Sequence, residues 1–172
     1  MLDRTMTSSS LFVWVESSAF SVWVRESNSV FAFPTILSLH TIGMGLVAGL
    51  SAAIDLRILG FAPQVPLMEM KRFFPVVWIG FWLNALSGVV LLIGYPTKAL
   101  TNPVFYSKLV FVALGMAALM LMNNHLFRGQ RANENSVPRK GRMLAIASLA
   151  CWAGAITTGR FLAYTYVRLL SI

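Results

Sequence analysis

The chain has 172 residues, of which 57% are hydrophobic and 12% carry a charge, and its mean hydropathy is +0.70. Because soluble domains carry about 25% charged residues, this composition excludes a disordered chain, a disulfide scaffold and a nucleic-acid-binding domain. A single cysteine, Cys151, allows no internal disulfide. We therefore predict one membrane domain over residues 1–172, with the lipid bilayer as its partner and no nucleic acid.

The first predicted element is an amphipathic helix over residues 9–27. Its polar side chains share one stripe, which contains Ser10, Ser17, Ser21 and Arg25. The remaining surface is apolar and carries Trp14 and Trp23, and tryptophan favours the membrane interface. We expect this helix to lie on the outer surface of the membrane.

Four long segments that follow are almost free of charge, and each approaches the roughly 20 residues that a helix needs to cross a bilayer. They predict transmembrane spans at 31–56, 73–95, 104–127 and 142–166. Pro34, Pro75 and Pro103 stand near the starts of the first three, where a missing N–H is tolerated. The fold class is therefore all-α: a four-transmembrane-helix bundle with an N-terminal amphipathic interfacial helix.

Lysine and arginine are more frequent in the loops after spans one and three than on the other side. Because cytoplasmic loops are enriched in these residues, the bias predicts that both termini are periplasmic, in a bacterial inner (cytoplasmic) membrane.

Ionisable residues inside the spans are functional candidates by default, and their depth decides which of them can meet. With a rise of about 1.5 Å per residue, His40, Lys108 and Arg160 fall in the outer half of the bilayer. Three interpretations of His40 are open: a core histidine bonded to a neighbouring carbonyl or to Ser87, a haem ligand, or a residue that handles protons or a quinone.

A second group falls in the inner half. Asp55, Arg57, His125 and Arg142 are predicted to form structural ion pairs near the cytoplasmic end. His125 lies about 20 Å from His40 in depth, and the two histidines are therefore not expected to hold one haem as an axial pair. On the first span, Gly45 and Gly49 form a G-x-x-x-G motif that lets another helix approach closely, either in the bundle or in a second protomer.

The chain resembles an uncharacterised bacterial family of four-helix membrane proteins over residues 10 to 166. The resemblance lies in Phe33-Pro34, His40, Gly43 and the stretch Asp55-Leu56-Arg57-Ile58-Leu59-Gly60. No activity is assigned to that family, so the resemblance implies the four-helix plan alone.

A more distant similarity is to the oxygen-independent protoporphyrinogen oxidase and copper-resistance D membrane families. It rests on His40, Pro75, Gly88 and Lys108, which occur in the same order. This resemblance implies haem b or porphyrin binding near His40 and Lys108.

The functional prediction is a small membrane haem b-binding protein, or a redox subunit that passes electrons between a periplasmic partner and the quinone pool. His40 is the predicted metal ligand with Met44 near it, and Lys108 and Arg160 neutralise the haem propionates. The alternative is a non-enzymatic scaffold, an accessory subunit of a larger or homo-oligomeric complex. A transporter is not predicted, since no broken helix pair or acidic residue is placed within the bilayer.

Overall fold

The computed structural model describes residues 13–27, 29–127 and 137–168, apart from the side chains at 98, 163 and 165–168. The described residues contain six complete α-helices and a helical stretch at 13–16, and none of them is in a β-strand. The six α-helices are numbered in chain order. They are α1 (Ala19–Glu26), α2 (Phe33–Leu59), α3 (Phe73–Gly94), α4 (Pro96–Leu100), α5 (Pro103–Met122) and α6 (Arg139–Arg168). A 3-10 turn, Leu67–Arg72, leads into α3, and a π-helical turn, Asn123–Phe127, continues α5.

The predicted all-α membrane architecture is confirmed. Four helical segments are long and apolar enough to cross a membrane, namely Phe33–Leu59, Leu67–Gly94, Pro103–Phe127 and Arg139–Leu162. The second span begins at Leu67 and not at the predicted position 73, because the 3-10 turn continues into α3. The fourth span begins at Arg139, three residues before the predicted position 142. We call the end of the bundle that carries α1 the α1 end, and the end with the 3-10 and π-helical turns the opposite end.

Local sequence explains where the long helices start and stop. Pro34 and Pro103 occupy first turns, and the Asn102 side chain caps α5 by accepting the Val104 N–H at 3.0 Å. Helix α2 ends at Gly60, whose φ of +105° lies in the left-handed region that glycine adopts without a steric penalty.

Helices α2 and α3 cross in close contact, and α2 also packs against α6. Glycines make the α2–α3 crossing possible. A methyl group on Gly43 would lie 2.6 Å from the backbone nitrogen of Asn84, and one on Gly80 would lie 2.8 Å from Leu46 Cβ. Small residues let membrane helices approach this closely, since no side chain stands between the two backbones.

Helices α5 and α6 form the second close pair. A methyl on Gly115 would lie 2.9 Å from Cε2 of Trp152, and one on Gly154 would lie 2.9 Å from the Phe111 ring. The buried apolar core between the helices contains Val47, Ile54, Ile58, Leu119, Met122, Leu126 and Trp152.

The G-x-x-x-G motif of α2 is not used inside the described bundle. Gly45 and Gly49 are both exposed, and a methyl group on either would have no atom within 4 Å. The glycine that brings α2 against a neighbour is Gly43, two residues earlier, which points to a different face of the helix.

The predicted amphipathic helix over 9–27 is interrupted at Ser17–Ser18. Residues 13–16 are helical, and α1 then restarts with Ser18 as its N-cap, whose hydroxyl accepts the Ser21 N–H at 3.3 Å. Residues 9–12 lie outside the described residues. The polar face of α1 is turned inward: the buried Ser21 hydroxyl donates to the Ile93 carbonyl at 3.0 Å, at the end of α3.

Large apolar side chains cover the outer side of this segment. Trp14, Phe20 and Trp23 are all exposed. An ion pair between Arg25 and Glu16, at 3.0 Å, joins the two helical pieces, and Glu16 also accepts the Thr97 hydroxyl at 2.8 Å. The segment is therefore tied to the α1 end of the bundle by polar contacts and is apolar on its free side.

Candidate functional site

A polar cluster joins α2, α3 and α5 near the α1 end, with His40 at its centre. His40 lies about 10 Å along α2 from its start. Its Nδ1 is 3.0 Å from the backbone carbonyl oxygen of Asn84 and 3.1 Å from Ser87 Oγ. Because a carbonyl oxygen only accepts, Nδ1 carries the hydrogen and donates it. This assigns the tautomer of the ring and leaves the lone pair on Nε2.

The lone pair of His40 faces Lys108. The distance from Nε2 to the Lys108 Nζ is 3.1 Å, and the ammonium donates. Both ring nitrogens of His40 therefore have partners within the protein. We call His40 and Lys108 the His–Lys pair.

Asn84 holds the pair from the α3 side. Its amide nitrogen donates to the backbone carbonyl of His40 at 2.8 Å, while its own backbone carbonyl accepts from the His40 ring. Helices α2 and α3 are thus linked by two hydrogen bonds, one donated from each helix. Gly88 leaves space for the ring, because a methyl group there would lie 3.1 Å from His40 Cε1. The sequence analysis missed Asn84, although a lone amide in an apolar helix is a signal for an interhelical hydrogen bond.

Lys108 reaches His40 from α5 and is half-buried. Its aliphatic part runs beside α6, where a methyl on Gly159 would lie 3.8 Å from Cε. Among the described residues, no carboxylate lies within 4 Å of its ammonium. The ammonium has two further N–H groups beyond the one that it directs at His40.

The other predicted cofactor-binding residues do not converge on the ring. Arg160 follows Gly159 on α6 and is exposed. Met44, one turn after His40, packs against the apolar core. Of the predicted set, the structure brings His40 and Lys108 into contact.

Haem ligation by His40 would require Lys108 to move away from the ring. An axial ligand needs a free Nε2 lone pair, and here that lone pair accepts from Lys108. In the described part of the chain, no group of three His, Cys, Asp or Glu side chains is placed to hold a metal ion. The contacts of Nδ1 match the interpretation of His40 as a histidine bonded to a carbonyl and to Ser87.

Among the described residues, the four side chains of the predicted inner-half ion pairs do not form salt bridges with one another. Arg57 turns to the loop after α2, where its guanidinium donates to the carbonyls of Val65 and Pro63. Asp55 is fully buried, and among the described residues its carboxyl faces the Ser148 hydroxyl of α6 and no cationic side chain. The reason is geometric, because two residues separated by one position on a helix point to different faces. His125 and Arg142 are both exposed.

No protein-family model, curated protein or solved structure matches this chain. The family resemblances in the sequence remain expectations for that reason. The chemistry of the His–Lys pair and its surroundings is therefore the basis for the function of this protein.

Proposed function

We propose that this protein is a subunit of a bacterial membrane redox system, and that its His–Lys pair binds the head group of a quinone. The observation that supports the proposal is the partner of Lys108. This ammonium lies inside a membrane span and directs one N–H at an imidazole 3.1 Å away, rather than at a carboxylate. Ionisable side chains in that position are energetically costly and are retained mainly where they act on a ligand or a proton.

The pair offers the chemistry that a quinone requires. The two remaining N–H groups of Lys108 suit a carbonyl oxygen, and their charge strengthens the hydrogen bond as electron density builds on that oxygen. Reduction of a quinone to a quinol takes up two electrons and two protons. In the proposed reaction the Lys108 ammonium donates one proton to the quinone, water donates the second, and a redox protein on the periplasmic side supplies both electrons. Both termini face that side in the proposed orientation.

Access from the lipid is consistent with the surface of the bundle. Tyr106 and Leu109, next to Lys108 on α5, are exposed, and so is Phe161 on α6. A quinone with an isoprenoid tail would reach the pair from the hydrocarbon layer. Haem is not part of this proposal, since ligation by His40 would require Lys108 to leave Nε2.

Binding of a short-chain ubiquinone analogue to the purified protein in lipid nanodiscs tests the proposal. Lys108→Met removes a charge-assisted hydrogen bond of about 1.5–3 kcal/mol, and we expect the dissociation constant to rise roughly 10- to 100-fold. Lys71→Met is the matched control, because Lys71 is exposed at the opposite end. Equal affinity for the quinone in the wild type and in Lys108→Met would refute the proposal.

An absorption spectrum of the same preparation separates this function from the haem alternative. A Soret band that disappears in His40→Ala would mean that Nε2 binds iron, and the quinone proposal would then be wrong. We expect no such change, because His40 is engaged on both sides of its ring.

A second candidate function, an accessory subunit that assembles with another membrane protein, is favoured by one observation. Gly45 and Gly49 present a small-residue face on the outside of α2, where nothing in the described bundle covers them. Gly45→Leu and Gly49→Leu would then change the oligomeric state measured by mass photometry, whereas Ala113→Leu, on the exposed surface of α5, would not. Identical mass distributions for all three variants would contradict this candidate.

A further inference from the structure

The opposite end of the bundle brings three segments together. Phe74, at the start of α3, packs edge-on against Phe127 of the π-helical turn, with the two ring centroids 5.4 Å apart. A methyl group on Gly141, near the start of α6, would lie 3.2 Å from Cδ1 of Leu126 in the same turn. The starts of α3 and α6 are therefore both held against the π-helical turn.

Cationic side chains stand beside both of these contacts, and all of them are exposed. We call them the basic face: Lys71, Arg72, Arg139, Lys140 and Arg142. The first two come directly before α3, and the other three flank Gly141 at the start of α6. Since the two helix starts meet at the π-helical turn, the five charges are gathered at one end of the bundle.

One described carboxylate is exposed at this end of the bundle. It belongs to Glu69, which forms an ion pair with Arg72 at 3.0 Å. The α1 end is different, because there the cation nearest the surface helix, Arg25, is paired with Glu16 at 3.0 Å. The described part of the opposite end thus has an excess of positive charge, and this charge favours a negatively charged ligand.

The height of the basic face matches that of the lipid head groups. Lys71 belongs to the span Leu67–Gly94, whose 28 residues are about 42 Å long. The hydrocarbon layer occupies about 30 Å of this length, so roughly 6 Å at each end lies among the head groups. Lys71 is about 6 Å from the start of its span, and Arg142 is about 4.5 Å from the start of Arg139–Leu162. Both charges are thus level with the lipid phosphates.

Exposed apolar side chains lie next to these charges. Met68 precedes Lys71 by one turn and is 43% exposed, and Met143 follows Arg142 and is 62% exposed. A free anion would leave both apolar groups in water, whereas a phospholipid covers them with its acyl chains while its phosphate accepts from the cations. We propose that the basic face binds the head group of an anionic phospholipid.

The lipid site is separate from the proposed quinone site. The π-helical turn begins 15 positions after Lys108, about 22 Å further along the same span. The basic face therefore meets the other leaflet, which is the cytoplasmic one in the proposed orientation. Lysine and arginine near the surface of that leaflet are attracted to its anionic lipids.

Native mass spectrometry of the full chain in detergent micelles tests the site, because it counts bound phospholipids and gives their dissociation constants. Phosphatidylglycerol and phosphatidylcholine with identical acyl chains are the two probes, since they differ in net charge. Lys140→Gln and Arg142→Gln each remove one charge from the basic face. Arg160→Gln is the matched control, because Arg160 is exposed on the same helix near the α1 end.

We expect phosphatidylglycerol to bind roughly tenfold more tightly than phosphatidylcholine. Lys140→Gln and Arg142→Gln should each weaken its binding about fivefold, which corresponds to about 1 kcal/mol per cation, and Arg160→Gln should leave it unchanged. Equal affinities for the two lipids would overturn the proposal, and so would an equal loss of affinity in Arg160→Gln.

Two soluble competitors distinguish the lipid from other anions. An excess of glycerol 3-phosphate should leave phosphatidylglycerol bound, because the free head group lacks the acyl chains that cover Met68 and Met143. Displacement by an equal concentration of glycerol 3-phosphate would overturn the proposal in favour of a site for a free phosphate. Displacement by an equal concentration of polyglutamate would overturn it in favour of an acidic protein segment.

Discussion

The crossing of α2 and α3 depends on the absence of a side chain at Gly43, and alanine at this position tests how tightly the two helices are packed. The added methyl group would lie 2.6 Å from the Asn84 backbone nitrogen and 3.0 Å from its Cα. Ordinary contact between such atoms begins at about 3.5 Å, so the helices must separate by roughly 1 Å. Backbone atoms of a helix cannot rotate away, and overpacking of this kind destabilises by about 1–3 kcal/mol.

Gly45→Ala is the matched control, two residues further along the same helix. A methyl group there meets no atom within 4 Å. Alanine is favoured over glycine in a helix interior by about 1 kcal/mol, so this variant should be neutral or more stable. The assay is the free energy of unfolding in mixed micelles, measured by circular dichroism. We expect Gly43→Ala to be less stable than Gly45→Ala by about 2–4 kcal/mol. Equal stabilities would refute the close approach of α2 and α3.

Three further changes probe the ends of the bundle. Gly60→Ala places a side chain at a φ of +105° and should reduce stability by about 1–2 kcal/mol in the same unfolding assay; an unchanged value would contradict the left-handed helix end. Arg57→Met removes the donors to two loop carbonyls, so we expect faster chymotrypsin cleavage after Phe61, and a rate equal to the wild type would argue against those contacts. Ser21→Ala removes the hydrogen bond to the Ile93 carbonyl, which is worth about 1 kcal/mol. Because α1 is then held less firmly, the fluorescence anisotropy of Trp23 should fall. Constant anisotropy would show that other contacts hold α1.

The four spans could be predicted from the sequence because charge is costly in a bilayer, and gaps between charged residues therefore mark the helices. Helix ends were less predictable. The 3-10 turn before α3 and the π-helical turn after α5 extend two spans, and neither has a composition that distinguishes it from an α-helix. The break at Ser17–Ser18 was also missed, because a serine within an amphipathic stripe fits a continuous helix as well as an N-cap.

Depth along each helix was predictable, and it placed His40 and Lys108 at similar heights. The rotation of each helix about its own axis could not be predicted, because it depends on which neighbouring helix each face contacts. Asp55 and Arg57 show the difference: adjacent in depth, they point to α6 and to the loop after α2 respectively. Gly45 and Gly43 are a second example: they lie at nearly the same depth, but only Gly43 faces α3. Asn84 was not predicted, because an uncharged amide stands out from an apolar span less clearly than a charged side chain does.

The attachment of α1 to the end of α3 predicts that the site responds to the thickness of the bilayer. Ser21 joins the outward Phe20 and Trp23 to the end of α3, and Glu16 joins the same segment to Thr97 on α4. Tryptophan fixes the height of such a segment at the lipid head groups. In a thinner bilayer, a helix anchored in this way relieves hydrophobic mismatch by tilting. Such a tilt carries Asn84 and Ser87 with it, and with them the two contacts that orient the imidazole of His40. We therefore expect the hydrogen bonds between His40 and α3 to change with the chain length of the lipid.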